Sequence, residues 1–184
     1  MGRPPMLWSA KANGLKAKAM QRLIIMRHAQ AEKSAPGGDI DRPLSKHGRH
    51  DALAMGRALA ERGLRPDTAL VSSARRTHQT WDAVSEAMGD VEVHLSPALY
   101  NASSDTLRRA VEAAEDTAGC LLLVAHNPGV HQLAVEYLIE SAASPGVLDK
   151  MSGGFPTGAA AIFTVDVAGR PSYEGWLTPH DLEK

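Results

Sequence analysis

From residue 21 onward, short apolar runs alternate with segments in which apolar residues recur at helical spacing. The apolar runs predict strands at about residues 22–26, 68–72, 91–95 and 120–125. The periodic segments predict helices at about residues 45–62, 76–88, 103–114 and 130–139. This alternation predicts an α/β fold, a three-layer sandwich in which helices cover both faces of a mostly parallel central sheet.

Capping and turn residues refine these boundaries. Ser45 is suited to cap the first helix, and Gly63 to end it. Residues 140–157 are rich in Ser, Pro and Gly, which predicts a loop. Residues 159–167 and 172–177 predict a strand pair or hairpin at the end of the sheet.

Residues suited to phosphate chemistry follow three of the predicted strands. Arg27 and His28 come directly after the first strand, Arg75 and Arg76 shortly after the second, and His126 after the strand at 120–125. In open α/β sheets, ligands bind at the carboxyl ends of the strands. A guanidinium grips phosphate oxygens bidentately, and an imidazole can attack phosphorus. The sequence therefore predicts a phosphoryl-transfer site at this edge, with arginines supplying the positive charge.

Composition limits the alternatives. The length of 184 residues fits one domain, and the formal net charge of -1 with 4% aromatic residues argues against nucleic-acid binding. No apolar stretch approaches the roughly 18 residues of a membrane span. The single cysteine, Cys120, cannot form an intrachain disulfide, which indicates a reducing compartment such as the cytoplasm.

The first nineteen residues differ from the rest. They contain four basic residues and no acidic one: Arg3, Lys11, Lys16 and Lys18. Their apolar stretch is too short to be the apolar region of a secretory signal peptide. We expect residues 1–19 to form a flexible basic leader and residues 20–184 to form a single domain.

Three motifs resemble those of the histidine phosphatase superfamily, which has the phosphoglycerate mutase-like fold. The first motif is a strand followed by Arg-His-Gly, and it corresponds in this chain to Arg27-His28-Ala29, with alanine in the glycine position. The second motif runs from Ser72 to Thr80, and counting back from Gln79-Thr80 assigns its arginine to Arg76. The third is a buried strand that ends in His126.

Further residues resemble the small SixA-type phosphohistidine phosphatases within this superfamily. They are Arg42-Pro43-Leu44-Ser45 with Gly48, the triplet His126-Asn127-Pro128, and Phe155-Pro156-Thr157-Gly158. The resemblance extends from about residue 21 to 180. It implies a domain of the histidine phosphatase type.

The resemblance also implies roles for individual residues. His28 would attack phosphorus and become a phosphohistidine, while Arg27, Arg76 and His126 would hold the phosphoryl oxygens. Arg42 would be an additional phosphate or substrate contact. The alternative for Arg42 is a structural salt bridge at the entry to the first helix.

One departure from the superfamily concerns the general acid. Larger members place a Glu or Asp after the third strand, where this chain reads Leu99-Tyr100-Asn101-Ala102-Ser103. An alkoxide needs a proton to leave, whereas a protonated phosphohistidine leaves as neutral imidazole. The missing acid therefore fits a phosphoramidate substrate. Four acidic residues could still reach the site, although each is more simply a solvated loop or cap carboxylate: Glu32, Asp39, Asp41 and Asp105.

The leading hypothesis is a phosphohistidine phosphatase that needs no metal or other cofactor and acts on a phosphorylated protein. The alternatives are a small-molecule phosphomonoesterase of the same fold and a non-catalytic module that binds phosphoproteins. His47 and His50 could pair as metal ligands at helical spacing, but the sequence offers no Cys or acidic cluster to complete such a site.

Overall fold

The computed structural model describes residues 20–183, so the predicted leader lies outside the described residues. A six-stranded sheet forms the centre of this part of the chain. Its strands are β1 (Arg22–Arg27), β2 (Thr68–Ser72), β3 (Glu92–Ser96), β4 (Cys120–Ala125), β5 (Ala160–Val165) and β6 (Pro171–Leu177). The α-helices are α1 (Lys46–Glu61), α2 (Arg75–Ser85), α3 (Ser104–Ala114), α4 (Gly129–Glu140) and α5 (Pro145–Ser152).

The strand order is β3-β2-β4-β1-β5-β6. β3, β2, β4 and β1 are mutually parallel, and β5 and β6 add an antiparallel pair beside β1. In the pairing of β1 with β4, Arg27 lies opposite Ala125, so these two strands end at the same level. The prediction of an α/β sandwich around a mostly parallel sheet is confirmed.

The apolar residues of the central strands divide between two cores because successive side chains of a strand point to opposite faces. In β1, Leu23 and Ile25 pack on one side of the sheet, whereas Ile24 and Met26 pack on the other. The first core includes residues of α3 and α4, and the second includes residues of α1 and α2. β1 is therefore buried on both faces, and its carboxyl end is held in a fixed position.

The predicted ends of α1 are also confirmed. The Ser45 hydroxyl accepts a hydrogen bond of 3.0 Å from the Gly48 N–H, as an N-cap does. Gly63 follows the helix with a φ of 72°, a conformation that glycine adopts without a steric penalty.

The prediction of a loop over residues 140–157 is wrong in its centre, which forms α5. Pro145 occupies the start of the helix, a position where a backbone N–H has no intrahelical acceptor, so proline is tolerated there. Val147 and Leu148 pack against the first core, and Met151 is fully buried. Tertiary packing therefore stabilises a short helix that local composition disfavours.

Among residues 20–183, no helix is both long enough and apolar enough to cross a membrane.

Candidate active site

The loops that follow β1, β2 and β4 meet at one edge of the sheet because these strands are neighbours and run in the same direction. They enclose a cavity of about 390 Å³, here called the phosphate cavity. Its lining includes Arg27, His28, Asp39, Arg42, Arg76 and His126. The structure thus brings together every residue for which a catalytic or phosphate-binding role was predicted.

The hydrogen bond of His28 determines which of its ring nitrogens is free. Nδ1 lies 2.7 Å from the carbonyl oxygen of Ala29. A carbonyl oxygen can only accept a hydrogen bond, so Nδ1 carries the proton and Nε2 keeps its lone pair. Burial, with smaller contributions from Arg76 and Arg27, lowers the pKa of His28 to about 4. At neutral pH this side chain is an uncharged imidazole with a nucleophilic Nε2.

His126 faces His28 across the cavity, with 5.3 Å between the ring centroids. Its Nε2 lies 2.7 Å from the hydroxyl of Ser72, whereas its buried Nδ1 has no hydrogen-bond partner among the described residues. If the Ser72 hydroxyl donates this bond, Nδ1 carries the ring proton and can donate a hydrogen bond to a phosphoryl oxygen. Burial, together with the nearby His28, lowers the pKa of His126 to about 3.

The two arginines of the predicted site are held by backbone carbonyls. Arg27 Nη1 donates to the carbonyl of Phe155 at 2.9 Å, and Arg76 Nη1 donates to that of Asp39 at 2.7 Å. The Nε atom of each is buried without a partner among the described residues. Arg76 is only 3% exposed, whereas Arg75 faces solvent. The geometry therefore favours Arg76 over Arg75 as the phosphate ligand, as the motif spacing predicts.

Asp39 is the one acidic residue that the described part of the chain contributes to the lining of the phosphate cavity. Its carboxylate accepts hydrogen bonds from Tyr100 Oη, from Arg76 Nη2 at 3.1 Å and from Arg42 Nε at 2.9 Å. The Tyr100 hydrogen bond, reinforced by Arg76, lowers the pKa of Asp39 to about 2. The carboxylate stays ionised at neutral pH, so Asp39 is poorly suited to donate a proton to a leaving group.

The other acidic candidates from the sequence do not line the phosphate cavity: Glu32, Asp41 and Asp105. Arg42 forms an ion pair with Asp39 and also bonds the Glu32 carbonyl. It lines the phosphate cavity as well, so its contact with phosphate or substrate stays a prediction. The bond from Tyr100 to Asp39 was not predicted from the sequence, where Tyr100 lies in a segment without an acid. The signal available in the sequence was that Tyr100 lies in the segment where larger superfamily members carry the general acid.

Gln79 and Thr80 connect the loops around the nucleophile. The Thr80 hydroxyl accepts a hydrogen bond of 3.0 Å from the Ala29 N–H and donates one of 2.7 Å to the Arg76 carbonyl. The Gln79 side-chain oxygen accepts a hydrogen bond of 2.8 Å from the Leu44 N–H. These bonds explain why a Gln-Thr pair at this spacing accompanies Arg76.

Comparison with known families identifies the chain. The profile of the histidine phosphatase superfamily, branch 1, matches residues 23–117, which is about half of the sequence. The chain belongs to this superfamily. It is a phosphatase, a hydrolase that acts on phosphate groups.

Solved structures place this histidine phosphatase near proteins of the SixA type. A candidate phosphohistidine phosphatase SixA from Agrobacterium tumefaciens is 29% identical, with a TM-score of 0.77 over 87% of this chain and 99% of that one. A second candidate SixA, from Nakamurella multipartitia, is 28% identical, with a TM-score of 0.73 over 86% of this chain and 96% of that one. An uncharacterized protein of Mycobacterium tuberculosis is 29% identical over 140 residues, or 76% of this chain and 87% of that protein.

A possible cation-binding group lies outside the phosphate cavity of this phosphatase. His47, Asp51 and Glu183 each place one ligand atom within 4.8 Å of the others. In the sequence, His47 could pair with His50, but no Cys or acidic cluster completed such a site. In the structure, Asp51 lies one helical turn after His47, and Glu183 comes from the end of the chain. None of the three lines the phosphate cavity.

We expect His28 to stay neutral well into the acidic range. With a pKa of about 4, His28 is about nine-tenths neutral at pH 5, where a histidine of ordinary pKa is almost fully charged. Because the neutral form is the nucleophile, activity limited by His28 should persist at pH 5 and fall below about pH 4. Imidazole ¹⁵N NMR of the free phosphatase would measure this midpoint. A midpoint near 6.5, or a proton on Nε2, would contradict the assignment.

Proposed function

We propose that this protein is a phosphohistidine phosphatase that works without a metal ion, through a covalent phosphohistidine on His28. The supporting observation is the hydrogen bond from His28 Nδ1 to the Ala29 carbonyl, which leaves the Nε2 lone pair free inside a cavity lined by arginines. The resemblance to candidate SixA phosphohistidine phosphatases supports the choice of a phosphorylated protein as substrate.

In the first step, Nε2 of His28 attacks phosphorus, and the bond from phosphorus to the substrate nitrogen breaks. The leaving histidine takes the bonding electron pair and departs as neutral imidazole when its other ring nitrogen is protonated. Arg27, Arg76 and Nδ1 of His126 hold the phosphoryl oxygens and stabilise the charge that spreads over them during transfer. Arg42 contributes positive charge at the rim.

In the second step, a water molecule attacks the phosphorus of phospho-His28. The bond to Nε2 breaks, the electron pair returns to the imidazole, and inorganic phosphate leaves after the water has lost a proton. That proton passes to a phosphoryl oxygen, so phosphate leaves as dihydrogen phosphate and no carboxylate has to accept the proton. The enzyme then returns to its neutral starting state.

The environment of Asp39 supports a substrate with a good leaving group. Asp39 is held ionised, so the described residues of the lining offer no strong proton donor to an alkoxide. Imidazole and aryl oxides depart with less protonation. A cytoplasmic enzyme is consistent with this proposal because the single cysteine cannot form an intrachain disulfide.

We therefore expect turnover to depend steeply on the leaving group. A phosphohistidine peptide and p-nitrophenyl phosphate should be hydrolysed, and glycerol 3-phosphate should react roughly 100-fold more slowly, the loss typical when a general acid is missing. Rates should be the same with and without a chelator. Phosphate release across this panel of substrates makes the comparison.

Single amide substitutions test for a hidden acid. Asp39→Asn should leave phosphohistidine turnover within about tenfold of the wild type, and Glu32→Gln, Asp41→Asn and Asp105→Asn serve as controls outside the cavity. A larger loss at any one of them would identify a proton donor. Efficient hydrolysis of glycerol 3-phosphate would favour a small-molecule phosphomonoesterase instead.

A further inference from the structure

A second cavity adjoins the phosphate cavity and has no part in the two chemical steps. Its volume is about 660 Å³, and it shares Arg27 and Asn127 with the phosphate cavity. Both shared residues donate to the carbonyl of Phe155, Arg27 at 2.9 Å and Asn127 at 3.0 Å. The boundary between the two cavities is therefore fixed by hydrogen bonds. A molecule bound through its phosphoryl group has this second cavity beside it.

One part of the second cavity is an aromatic surface. The ring centroids of Phe155 and Trp176 lie 5.9 Å apart, and the two ring planes are inclined by 30°. Pro156 also lines this part of the cavity. The Phe155 ring also contacts that of His131, which is fixed by a 2.8 Å hydrogen bond between its Nε2 and the Met151 carbonyl. Phe155 is only 2% exposed, so the partly exposed Trp176 ring supplies the surface that can bury the aliphatic part of a side chain.

The rim of the second cavity carries positive charge. The Lys150 ammonium lies 5.4 Å from the centre of the Trp176 ring, and no carboxylate among the described residues forms an ion pair with it. Asp181 is the acidic residue in the lining, and its carboxylate accepts hydrogen bonds from the N–H and hydroxyl of Thr178. Among the described residues, the lining therefore holds two cations, Arg27 and Lys150, against one carboxylate, and the unpaired Lys150 charge is available to an external anion.

We propose that this second cavity binds an acidic segment of the substrate protein that flanks the phosphohistidine. A flanking Glu or Asp would place its carboxylate near Lys150 and its methylene groups on Trp176. This inference rests on the proposed function, since it assigns the second cavity to the same substrate chain. Lys150 and Trp176 are then specificity residues for the phosphatase.

Two phosphohistidine peptides of equal length test the proposal, one with Glu and one with Gln at the two positions on each side of the phosphohistidine. The measured quantity is the ratio of their kcat/KM values, in which any general loss of activity cancels. We expect the full-length wild type to prefer the Glu peptide by about three- to tenfold, given the strength of partly exposed ion pairs. In Lys150→Glu the preference should disappear or reverse. Arg57→Glu, with the same charge change at an exposed position of α1, should keep the wild-type ratio.

The outcomes separate this inference from the proposed function. Turnover of both peptides with a ratio near one, or an equal preference in Lys150→Glu and the wild type, would overturn the second cavity's role and leave the phosphatase assignment intact. If neither peptide is hydrolysed, the proposed function fails, and the wild type can be titrated with the unconsumed peptides by fluorescence anisotropy. If the wild type binds the Glu peptide more tightly and Lys150→Glu loses that preference, the binding role of the second cavity is supported without the proposed function. Equal binding of the two peptides by the wild type would refute that role.

Discussion

Replacing His28 with alanine is expected to abolish phosphohistidine turnover, with a loss on the order of 10⁴-fold or more, because the covalent intermediate can no longer form. Among residues 20–183, no other nucleophile at the phosphate cavity takes its place. The second imidazole of the phosphate cavity, His126, has its Nε2 engaged by Ser72. Phosphate release from a phosphohistidine peptide measures the loss.

The control for this result is a check that His28→Ala still folds. His28→Ala should keep its circular dichroism spectrum and unfold within about 5 °C of the wild type, because the substitution removes one local hydrogen bond. His78→Ala, on the exposed face of α2, should retain full activity. Residual turnover above about 1% in a folded His28→Ala protein would remove His28 from the mechanism.

Arg76 and Arg75 should differ sharply although they are adjacent. Arg76→Ala removes a buried guanidinium from the phosphate cavity, and we expect kcat/KM to fall by roughly 100-fold or more. Arg75 points to solvent at the start of α2, so Arg75→Ala should stay within about threefold of the wild type. The two variants carry the same charge change, which makes Arg75→Ala the matched control.

Arg76→Lys separates charge from geometry. It keeps the positive charge but cannot present the paired N–H groups of a guanidinium, so it should still lose about tenfold or more. Equal losses in Arg75→Ala and Arg76→Ala would show that the motif had been read in the wrong register. Thermal unfolding of each variant would exclude a general loss of structure.

The sequence predicted the features that depend on local pattern. β2 and β4 begin and end at the predicted residues because each is a short apolar run bounded by turn residues. The choice of Arg76 followed from its spacing to Gln79 and Thr80. The structure adds a physical reason, since Thr80 bonds both the Arg76 carbonyl and the backbone beside His28.

Features that depend on contacts distant in the chain escaped prediction. Tyr100 and Asp39 are 61 residues apart, and their hydrogen bond is the main reason why the pKa of Asp39 lies below its ordinary value. The helix α5 depends on the burial of Met151, which no local propensity reveals. The free nitrogen of His28 also could not be inferred, because it depends on where the Ala29 carbonyl points.

The central claim is that phosphate passes through His28. The most direct measurement is rapid quenching of the wild type with a phosphohistidine peptide into alkali, followed by mass spectrometry to locate the phosphate on the enzyme. We expect a phosphoenzyme that is labile in acid, with the added phosphate on His28, and none in His28→Ala. A folded His28→Ala protein that still forms an acid-labile phosphoenzyme, or a wild type labelled at another residue, would contradict the mechanism.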